Sequence, residues 1–376
     1  MIPFNKAVLS GNEFNYMKMA YKKGKLSGDG YFTHKCHNWL KKNLNAQDAL
    51  LTHSATAALE MSAILLDIKP GDEIIMPSYT FVSTANAFVM SGATPVFVDI
   101  DRDTLCIDEN LIEEAINKKT RAIVPVHYAG ISPQMHKLQK IGKKNNLTII
   151  EDAAQGILSK YNEEYLGTIG DLGCFSFHET KNITCGEGGA LIINNEDLYE
   201  RAQHIREKGT NRNQFISGKV DKYTWVDKGS SFLPGEINAA FLLAQLERSK
   251  LLTRQRIKIW NKYDKFFKSV QSKFNLELPN IPKYNKHNAH MYYVLFESKQ
   301  KRDKFMKLTY DLGVNCVFHY IPLHSAPAGK KFGKTVGKMN ITNDISSRLL
   351  RMPLWVGIEK YQEKIFTTFE RVLSKV

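Results

Sequence analysis

Short apolar runs alternate with helical patterns from about residue 48 to residue 200, and this alternation constrains the fold more than any other feature of the chain. Successive strands that are joined through a helix run parallel, and a parallel sheet needs helices on both of its faces. We therefore predict an α/β fold with a mostly parallel sheet between helices. The expected strands lie at 49–52, 73–76, 96–99, 121–126, 147–150, 174–177 and 190–193. The expected helices between them lie at 55–67, 83–90 and 134–144.

The remainder of the chain predicts a second, smaller domain. A length of 376 residues exceeds what one hydrophobic core usually accommodates. Helices are expected at 197–208 and at about 236–267, and the second is long enough to connect two domains. An α+β arrangement is expected beyond it, with strands at 291–296 and 316–320 and helices at 301–312 and 345–350. We predict a large domain at 1–250 and a small domain at 251–376.

Composition argues against several classes of protein. The chain has no long apolar run, and its start, MIPFNK, lacks the charged-then-apolar layout of a signal peptide, so we expect a soluble cytoplasmic protein. The five cysteines are odd in number, widely spaced and free of CxxC pairs. Neither a disulfide framework nor a metal site is therefore expected.

Positive charge is concentrated in the last third of the chain. Residues 251–376 carry 24 Lys and Arg against 9 Asp and Glu, whereas residues 1–250 carry 28 against 29. No recognised nucleic-acid-binding motif accompanies this excess, so we expect no nucleic-acid partner. A solvated lysine-rich face is the plain interpretation, and a basic rim that attracts an anionic substrate is the alternative.

Two segments place candidate binding groups directly after predicted strands, where ligands of open α/β sheets gather. Residues 54–59, SATAAL, open a helix whose free N–H groups and dipole favour a phosphate, although a simple N-cap is the alternative. Asp152 follows the strand at 147–150. It is either structural or the partner of a pyridinium nitrogen, since pyridoxal phosphate needs an aspartate there to act as an electron sink.

Two further segments follow predicted strands in the same way. Lys181 lies 29 residues after Asp152, between an apolar strand and the glycine cluster at 186–189. A lysine in such a loop is usually solvated, but a lysine that holds a carbonyl cofactor would also belong here, where glycines let the backbone approach a bulky group. Phe81 follows the strand at 73–76 and is either core or a platform for a flat heterocycle.

The order and spacing of these segments resemble those of the DegT/StrS-type sugar aminotransferases, which are fold-type I enzymes that use pyridoxal phosphate. The resemblance runs from Ile2 almost to the C-terminus. The stretches that carry it are 54–59, 77–86, 151–156, 176–182, 186–189 and 318–324.

Three more stretches resemble one subgroup of that family: SGDG at 27–30, EKGTNR at 207–212 and DKYTW at 221–225. That subgroup converts dTDP-4-keto-6-deoxy-D-glucose into dTDP-4-amino-4,6-dideoxy-D-galactose for bacterial lipopolysaccharide and O-antigen biosynthesis. Family members that aminate a 3-keto-6-deoxy sugar, or a GDP- or UDP-linked 4-keto sugar, are the alternative, because they share nearly every cofactor residue.

The resemblance implies a fold-type I architecture, with a seven-stranded-type sheet in the large domain, and a role for each matching residue. Lys181 would hold the cofactor and move the proton, and Asp152 would pair with the pyridine nitrogen. Gln155 would bond to the ring hydroxyl and Phe81 would stack on the ring. The phosphate would be held by Ala55, Thr56 and Ser176.

The resemblance also implies L-glutamate as the amino donor, a nucleotide sugar as the acceptor, and a homodimer whose active sites take groups from both subunits. Ser231 departs from the family pattern, because alignment places it where the family has a cross-subunit asparagine on the phosphate. We expect its hydroxyl to donate one hydrogen bond there, from a side chain that is shorter than that of asparagine. His127 and His178 are interpreted as positioning residues, since Lys181 already supplies the base.

Overall fold

An eight-stranded sheet lies at the centre of the computed structural model, which describes residues 1–376. Its strand order is β1-β9-β8-β5-β4-β2-β3-β12, with the remaining strands in two smaller sheets. In chain order the strands are β1 Asp48–Thr52, β2 Glu73–Pro77, β3 Thr94–Val98, β4 Thr120–Ile123, β5 Thr148–Asp152, β6 Lys160–Tyr161, β7 Glu164–Tyr165, β8 Leu172–Ser176, β9 Gly189–Ile193, β10 Asn285–Lys286, β11 Tyr292–Leu295, β12 Lys334–Thr335 and β13 Leu349–Met352.

The large sheet is mostly parallel, as predicted. Strand β9 runs antiparallel to both of its neighbours, β1 and β8, and every other pairing in the sheet is parallel. All seven strands that were expected between residues 48 and 200 are present, with shifts of a few residues at their ends. The eighth strand, β12, comes from the C-terminal third and pairs with β3 at the edge of the sheet.

Helices cover both faces of this sheet, and other helices pack against the strands of the C-terminal third. They are α1 Glu13–Lys22, α2 Tyr31–Leu44, α3 Ala55–Leu65, α4 Val82–Val89, α5 Ile112–Ala115, α6 Met135–Asn145, α7 Tyr199–Arg206, α8 Arg212–Ile216, α9 Glu236–Phe274, α10 Lys299–Asp311, α11 Pro327–Phe332, α12 Asn340–Arg348 and α13 Gln362–Leu373. None of them is both long and apolar enough to cross a membrane.

The period-two pattern of the strands explains how both faces are buried. Successive side chains of a strand point to opposite faces of its sheet. Ile74 accordingly packs with α3 and α4 in one apolar cluster, whereas the adjacent Ile75 packs in another cluster with residues of α5 and α6. Continuous apolar strands, fully buried on both sides, are what this arrangement requires.

The long helix α9 connects two regions of apolar packing. Its first half contributes Leu242 and Leu246 to the cluster beneath β1 and β9. Its second half contributes Tyr263 and Phe267 to a separate cluster with residues of β11, β13 and the C-terminal helices. With 39 residues at about 1.5 Å each, it spans roughly 58 Å. No break falls at residue 250, and the division of the chain into domains there stays a prediction.

Glu236, at the start of α9, also completes the start of α2. The N-cap of α2 is Gly30, which has no side chain to accept a hydrogen bond. The Glu236 carboxylate accepts instead from the backbone N–H groups of Gly30 at 3.1 Å, Phe32 at 2.8 Å and Thr33 at 3.0 Å. A Cβ at Gly30 would lie 2.5 Å from the Glu236 side chain, so the close approach requires glycine.

Two predicted elements of the C-terminal third are wrong. The segment 316–320 is not a strand: it makes a single bridge, Val317 to Arg351, before its aromatic side chains turn towards a cavity. The helix expected at 345–350 instead begins at Asn340 and ends at Arg348, because the Asp99 carboxylate accepts from the N–H groups of Ile341 and Thr342 and caps it early. The residues that follow form β13.

Candidate active site

One cavity of about 1140 Å³ opens at the carboxyl ends of β2, β5 and β8. This is the edge of the sheet at which open α/β folds bind their ligands. Seven of the eight predicted site residues line it: Ala55, Thr56, Phe81, Asp152, Gln155, Ser176 and Lys181. The residues are far apart in the chain, and the parallel sheet brings them together.

The start of α3 forms a wall of the cavity that is suited to an anion. Ser54 is the N-cap, with extended backbone, and its hydroxyl accepts from the N–H of Ala57 at 3.0 Å. The first N–H groups of the helix, on Ala55 and Thr56, have no acceptor within the helix. Together with the positive end of the helix dipole they suit a phosphate. Ala55 has a negative φ, so its side chain fits without backbone strain.

Strand β9 passes very close to this helix start. A Cβ at Gly189 would lie 2.3 Å from the carbonyl carbon of Ser54 and 2.5 Å from the N of Ala55. Glycine is therefore required for the strand and the phosphate-binding turn to be neighbours. The Thr56 hydroxyl is 2.8 Å from the Ser83 hydroxyl, which adds a second hydroxyl to the same wall.

Asp152 is the last residue of β5 and is 5% exposed. Its Oδ2 accepts from the Thr84 hydroxyl at 2.7 Å, and its Oδ1 accepts from the N–H of Ala154 at 3.1 Å. These bonds fix the orientation of the carboxylate at the cavity floor. An ionised carboxylate held in this way is suited to keep a facing ring nitrogen protonated.

Lys181 lies in the turn after β8, where its N–H donates to the carbonyl of His178 at 2.9 Å. Loss of hydration on burial lowers the pKa of its amine to about 8. The charge of Asp152 acts in the opposite direction and raises that pKa, and the charge of Arg351 lowers it. An amine with this pKa is partly neutral near pH 7, so it can act as a nucleophile and as a proton acceptor.

Gln155 joins the floor of the cavity to its opposite wall. Its Oε1 accepts from the N–H of Ala129 at 2.7 Å, and its Nε2 donates to the Tyr320 hydroxyl at 2.9 Å. The amide nitrogen carries a second hydrogen, which is free for a ligand hydroxyl. Phe81 is 56% exposed at the cavity mouth, with its ring centre 6.2 Å from that of Tyr320. An exposed aromatic ring there is available for stacking.

The two histidines that were interpreted as positioning residues lie in different places. His127 is fully buried and does not line the cavity; its Nε2 lies 2.6 Å from the Glu151 carboxylate. Glu151 in turn accepts from the N–H groups of residues 167, 169 and 170, so this pair fixes the loop before β8. His178 does line the cavity, with its Nδ1 2.9 Å from the Thr180 hydroxyl.

Ser231 does not line the cavity of its own chain. It is exposed and forms a single bridge with Glu207. Its predicted contact with a phosphate across a subunit boundary stays a prediction.

Sequence reasoning singled out the segment 318–324, part of which lines the cavity, but it missed other residues of the cavity wall. Arg351 comes from β13 and His290 from the segment before β11, and Phe4 of the N-terminal segment lies beside them. Thr84, which orients Asp152, was also missed. Its position three residues after Phe81, at the start of the helix that follows a predicted strand, could have indicated it. Arg351, His290 and Phe4 could not be found from the sequence, because nothing in their local sequence marks a binding site.

Comparison with known proteins shows the family. The model of the DegT/DnrJ/EryC1/StrS aminotransferase family matches residues 8–370, which is nearly the whole chain. The chain belongs to this aminotransferase family. It is 34% identical over 330 residues to an uncharacterized protein of Methanocaldococcus jannaschii, a match that covers 86% of this chain and 85% of that protein.

Solved structures of aminotransferases have the same fold. The aminotransferase TlmJ from Streptoalloteichus hindustanus superimposes with a TM-score of 0.91 at 26% identity, covering 100% of this chain and 99% of that one. The PMP-form of the putative sugar aminotransferase Spr1654 from Streptococcus pneumoniae superimposes with a TM-score of 0.90 at 26% identity, covering 100% of both chains. The predicted fold-type I architecture is confirmed.

The cofactor of this aminotransferase is pyridoxal phosphate, since structures in PLP-form and PMP-form are among those that match. The residues of the cavity fit it: a partly neutral lysine, a fixed aspartate and a helix start with free N–H groups lie around one space. When bound, the cofactor supplies an electron sink for the reacting carbon. No group of three or more His, Cys, Asp or Glu side chains is arranged to hold a metal ion.

Proposed function

We propose that this sugar aminotransferase moves the amine of L-glutamate onto C4 of dTDP-4-keto-6-deoxy-D-glucose, giving dTDP-4-amino-4,6-dideoxy-D-galactose for surface polysaccharide. The observation that carries the proposal is the joint placement of Lys181, Asp152 and the start of α3 around one cavity. The choice of sugar is supported by the stretches at 27–30, 207–212 and 221–225, which resemble the subgroup with this substrate.

The residues of the chain have separate tasks in this reaction. Lys181 accepts the proton from the donor's reacting carbon and later delivers a proton to the sugar carbon. Asp152, held by Thr84 and Ala154, keeps the ring nitrogen protonated. The N–H groups of Ala55 and Thr56 would hold the phosphate of the cofactor, in the same cavity as Lys181.

We further propose that the enzyme is a homodimer in which Ser231 reaches the cavity of the partner subunit. The segment before Ser231 carries apolar side chains that are exposed in the single chain, Trp225 at 79% and Ile216 at 61% among them. Exposed apolar side chains of this kind are typical of a surface that packs against another subunit. Sedimentation equilibrium should give twice the chain mass of 42.8 kDa, and a monomer at micromolar concentration that is still active would contradict the proposal.

The substrate is tested by incubating the enzyme with pyridoxal phosphate, L-glutamate and dTDP-4-keto-6-deoxy-D-glucose, and by assigning the product by NMR. An axial 4-amino group is the expected result. An equatorial amine, or no product while the cofactor absorbance still changes on L-glutamate alone, would reject this sugar and keep the aminotransferase. Matched incubations with a 3-keto-6-deoxy sugar and a GDP-linked 4-keto sugar show which alternative replaces it.

A further inference from the structure

Arg351 extends into the active-site cavity from the C-terminal wall. It lies on β13, opposite Tyr293 of β11. Its neighbours on the strand, Leu350 and Met352, point into the C-terminal apolar cluster. Since side chains alternate along a strand, Arg351 points the other way, towards the reacting groups.

The guanidinium of Arg351 makes few hydrogen bonds within the chain. The one hydrogen bond of its side chain runs from Nη2 to the Phe318 carbonyl at 3.3 Å, and its Nε is buried without a partner. Arg348, three residues earlier, shows the contrast, because it pairs with the carboxylates of Asp344 and Glu277. Arg351 is half-buried and has no counter-charge, so its guanidinium is suited to an anionic ligand.

No carboxylate of the chain forms an ion pair with this guanidinium, whose one side-chain hydrogen bond is to a carbonyl. Tyr79, Tyr128 and Tyr320 surround it, and burial raises the pKa of each phenol, that of Tyr320 to about 12. Burial lowers the pKa of His290 and His319 well below the usual range, so both are neutral. Arg351 therefore has polar but uncharged side chains as its nearest neighbours, and its charge is not paired within the chain.

Arg256 is buried and also lines the cavity, but its guanidinium already donates hydrogen bonds within the chain. The Nε of Arg256 donates to the Ala289 carbonyl at 3.1 Å, and its Nη2 donates to the His290 carbonyl at 2.8 Å. These bonds position the segment before β11. Arg351 is therefore the stronger candidate for a ligand contact.

A short N-terminal strap, residues 2–5, places an aromatic ring against Arg351. Ile2 pairs with Val314, the Pro3 carbonyl accepts from Trp355 at 3.0 Å, and Asn5 donates to the Glu179 carbonyl at 3.1 Å. Phe4, between these anchors, lies under the guanidinium with 4.7 Å from its Cζ to the ring centre. The ring limits the rotation of the guanidinium and excludes water from one of its faces.

We propose that Arg351 binds a carboxylate of the amino donor, an inference that rests on the donor half of the proposed function. A donor amino acid carries a carboxylate directly on the carbon that reacts next to Lys181. A nucleotide sugar carries its anionic groups at the sugar's C1, across the ring from the keto carbon that is aminated. Arg351 lines the same cavity as Lys181, so its guanidinium matches the donor. Its planar fork fits a carboxylate with two parallel hydrogen bonds.

The test separates the two half-reactions. The PLP form is mixed with L-glutamate, and the change in cofactor absorbance gives the donor affinity and rate without any sugar. The PMP form is mixed with the ketosugar, and single-turnover product formation gives the acceptor half. Arg351→Gln should weaken apparent L-glutamate binding about 10- to 100-fold, the scale of a charge-assisted pair, and change the acceptor half less than about 3-fold.

Matched variants control for charge and folding. Arg351→Lys should recover part of the donor affinity, because it keeps the charge and loses the fork. Arg254→Gln removes one positive charge from an exposed position of α9 and should leave both halves unchanged. Calorimetric titration of the PLP form with glutarate, an unreactive dicarboxylate, should show the same loss of affinity in Arg351→Gln.

The donor series identifies which carboxylate is bound. Equal losses with L-glutamate, L-glutamine and L-alanine indicate the α-carboxylate, and a loss confined to L-glutamate indicates the side-chain carboxylate. Either result supports the proposal. Unchanged donor and glutarate binding in Arg351→Gln, or an equal loss in both half-reactions, would overturn it. A wrong sugar would appear separately, as an inactive acceptor half in the unmodified enzyme with a normal donor half.

Discussion

The cavity has two walls of different origin. The first is built from loops at the ends of parallel strands, and it carries Lys181, Asp152 and the start of α3 within one continuous stretch of α/β structure. The second comes from the C-terminal third and presents Tyr320, His319 and Arg351. The first wall has the groups that a cofactor needs, and the second has groups suited to bind substrates. Catalytic chemistry and substrate choice can therefore change separately within such a fold.

The largest expected effect lies on the first wall. Lys181→Ala should reduce turnover about 10³- to 10⁴-fold, because it removes the amine that is proposed to accept the donor's proton. The fold should be kept, since the side chain is half-buried at a cavity rather than packed in a core. Steady-state rates and circular dichroism check both statements. Appreciable amination by this variant would show that Lys181 is not the residue that moves the proton.

Asp152→Asn should reduce turnover about 10²- to 10³-fold and retain some cofactor binding. The amide is isosteric with the carboxylate, but it cannot hold a proton on the facing ring nitrogen by charge. The absorbance change on L-glutamate measures the rate, and cofactor content measured after dialysis separates binding from chemistry. Turnover equal to that of the unmodified enzyme would count against Asp152 as the partner of the ring nitrogen.

The pH dependence of the donor half-reaction shows whether the two walls shift the pKa of Lys181 in opposite directions. The neutral amine is the proton acceptor, so the donor half-reaction should rise with pH and level off above about 8. Asp152 raises this pKa and Arg351 lowers it. The midpoint should therefore move to lower pH in Asp152→Asn and to higher pH in Arg351→Gln. If both midpoints moved in the same direction, the two walls would not have opposite effects on the pKa of Lys181.

Tyr320→Phe should have the smallest effect, about 3- to 10-fold on the donor half-reaction. It removes the hydroxyl that accepts from Gln155 and leaves the ring in place, so the loss is that of about one neutral hydrogen bond. Single-turnover rates at saturating L-glutamate measure it. A loss as large as that of Asp152→Asn would show that the second wall takes a direct part in the chemistry.

The first wall is predictable from the sequence because its signals are local. Each group follows an apolar strand within a few residues, and the parallel sheet then brings the ends of those strands to one edge. The positions of Asp152 and Lys181 at this edge follow from the residues around them alone. The seven strands up to residue 193 are predictable for the same reason, since continuous apolar runs with helices between them have few alternative folds.

The second wall is not predictable in this way, because its placement depends on distant contacts. Arg351 follows two leucines in a run that suits either a helix or a strand, and β13 forms there because β11 pairs with it. Helix α12 begins early because Asp99, some 240 residues before it, caps it. The aromatic run at 316–320 has a strand-like composition, yet four of its five residues, His319 and Tyr320 among them, line the cavity.

The cap that Glu236 provides for α2 has a consequence for how the chain is made. The N–H groups at the start of α2 belong to residues 30–33, and their acceptor is more than 200 residues further along the chain. At about 5 to 20 residues per second, a ribosome needs roughly 10 to 40 s to add that length. During this time the beginning of α2 has no acceptor of its own. We expect the nascent N-terminal segment to stay open until α9 emerges, and contacts of such long range slow folding.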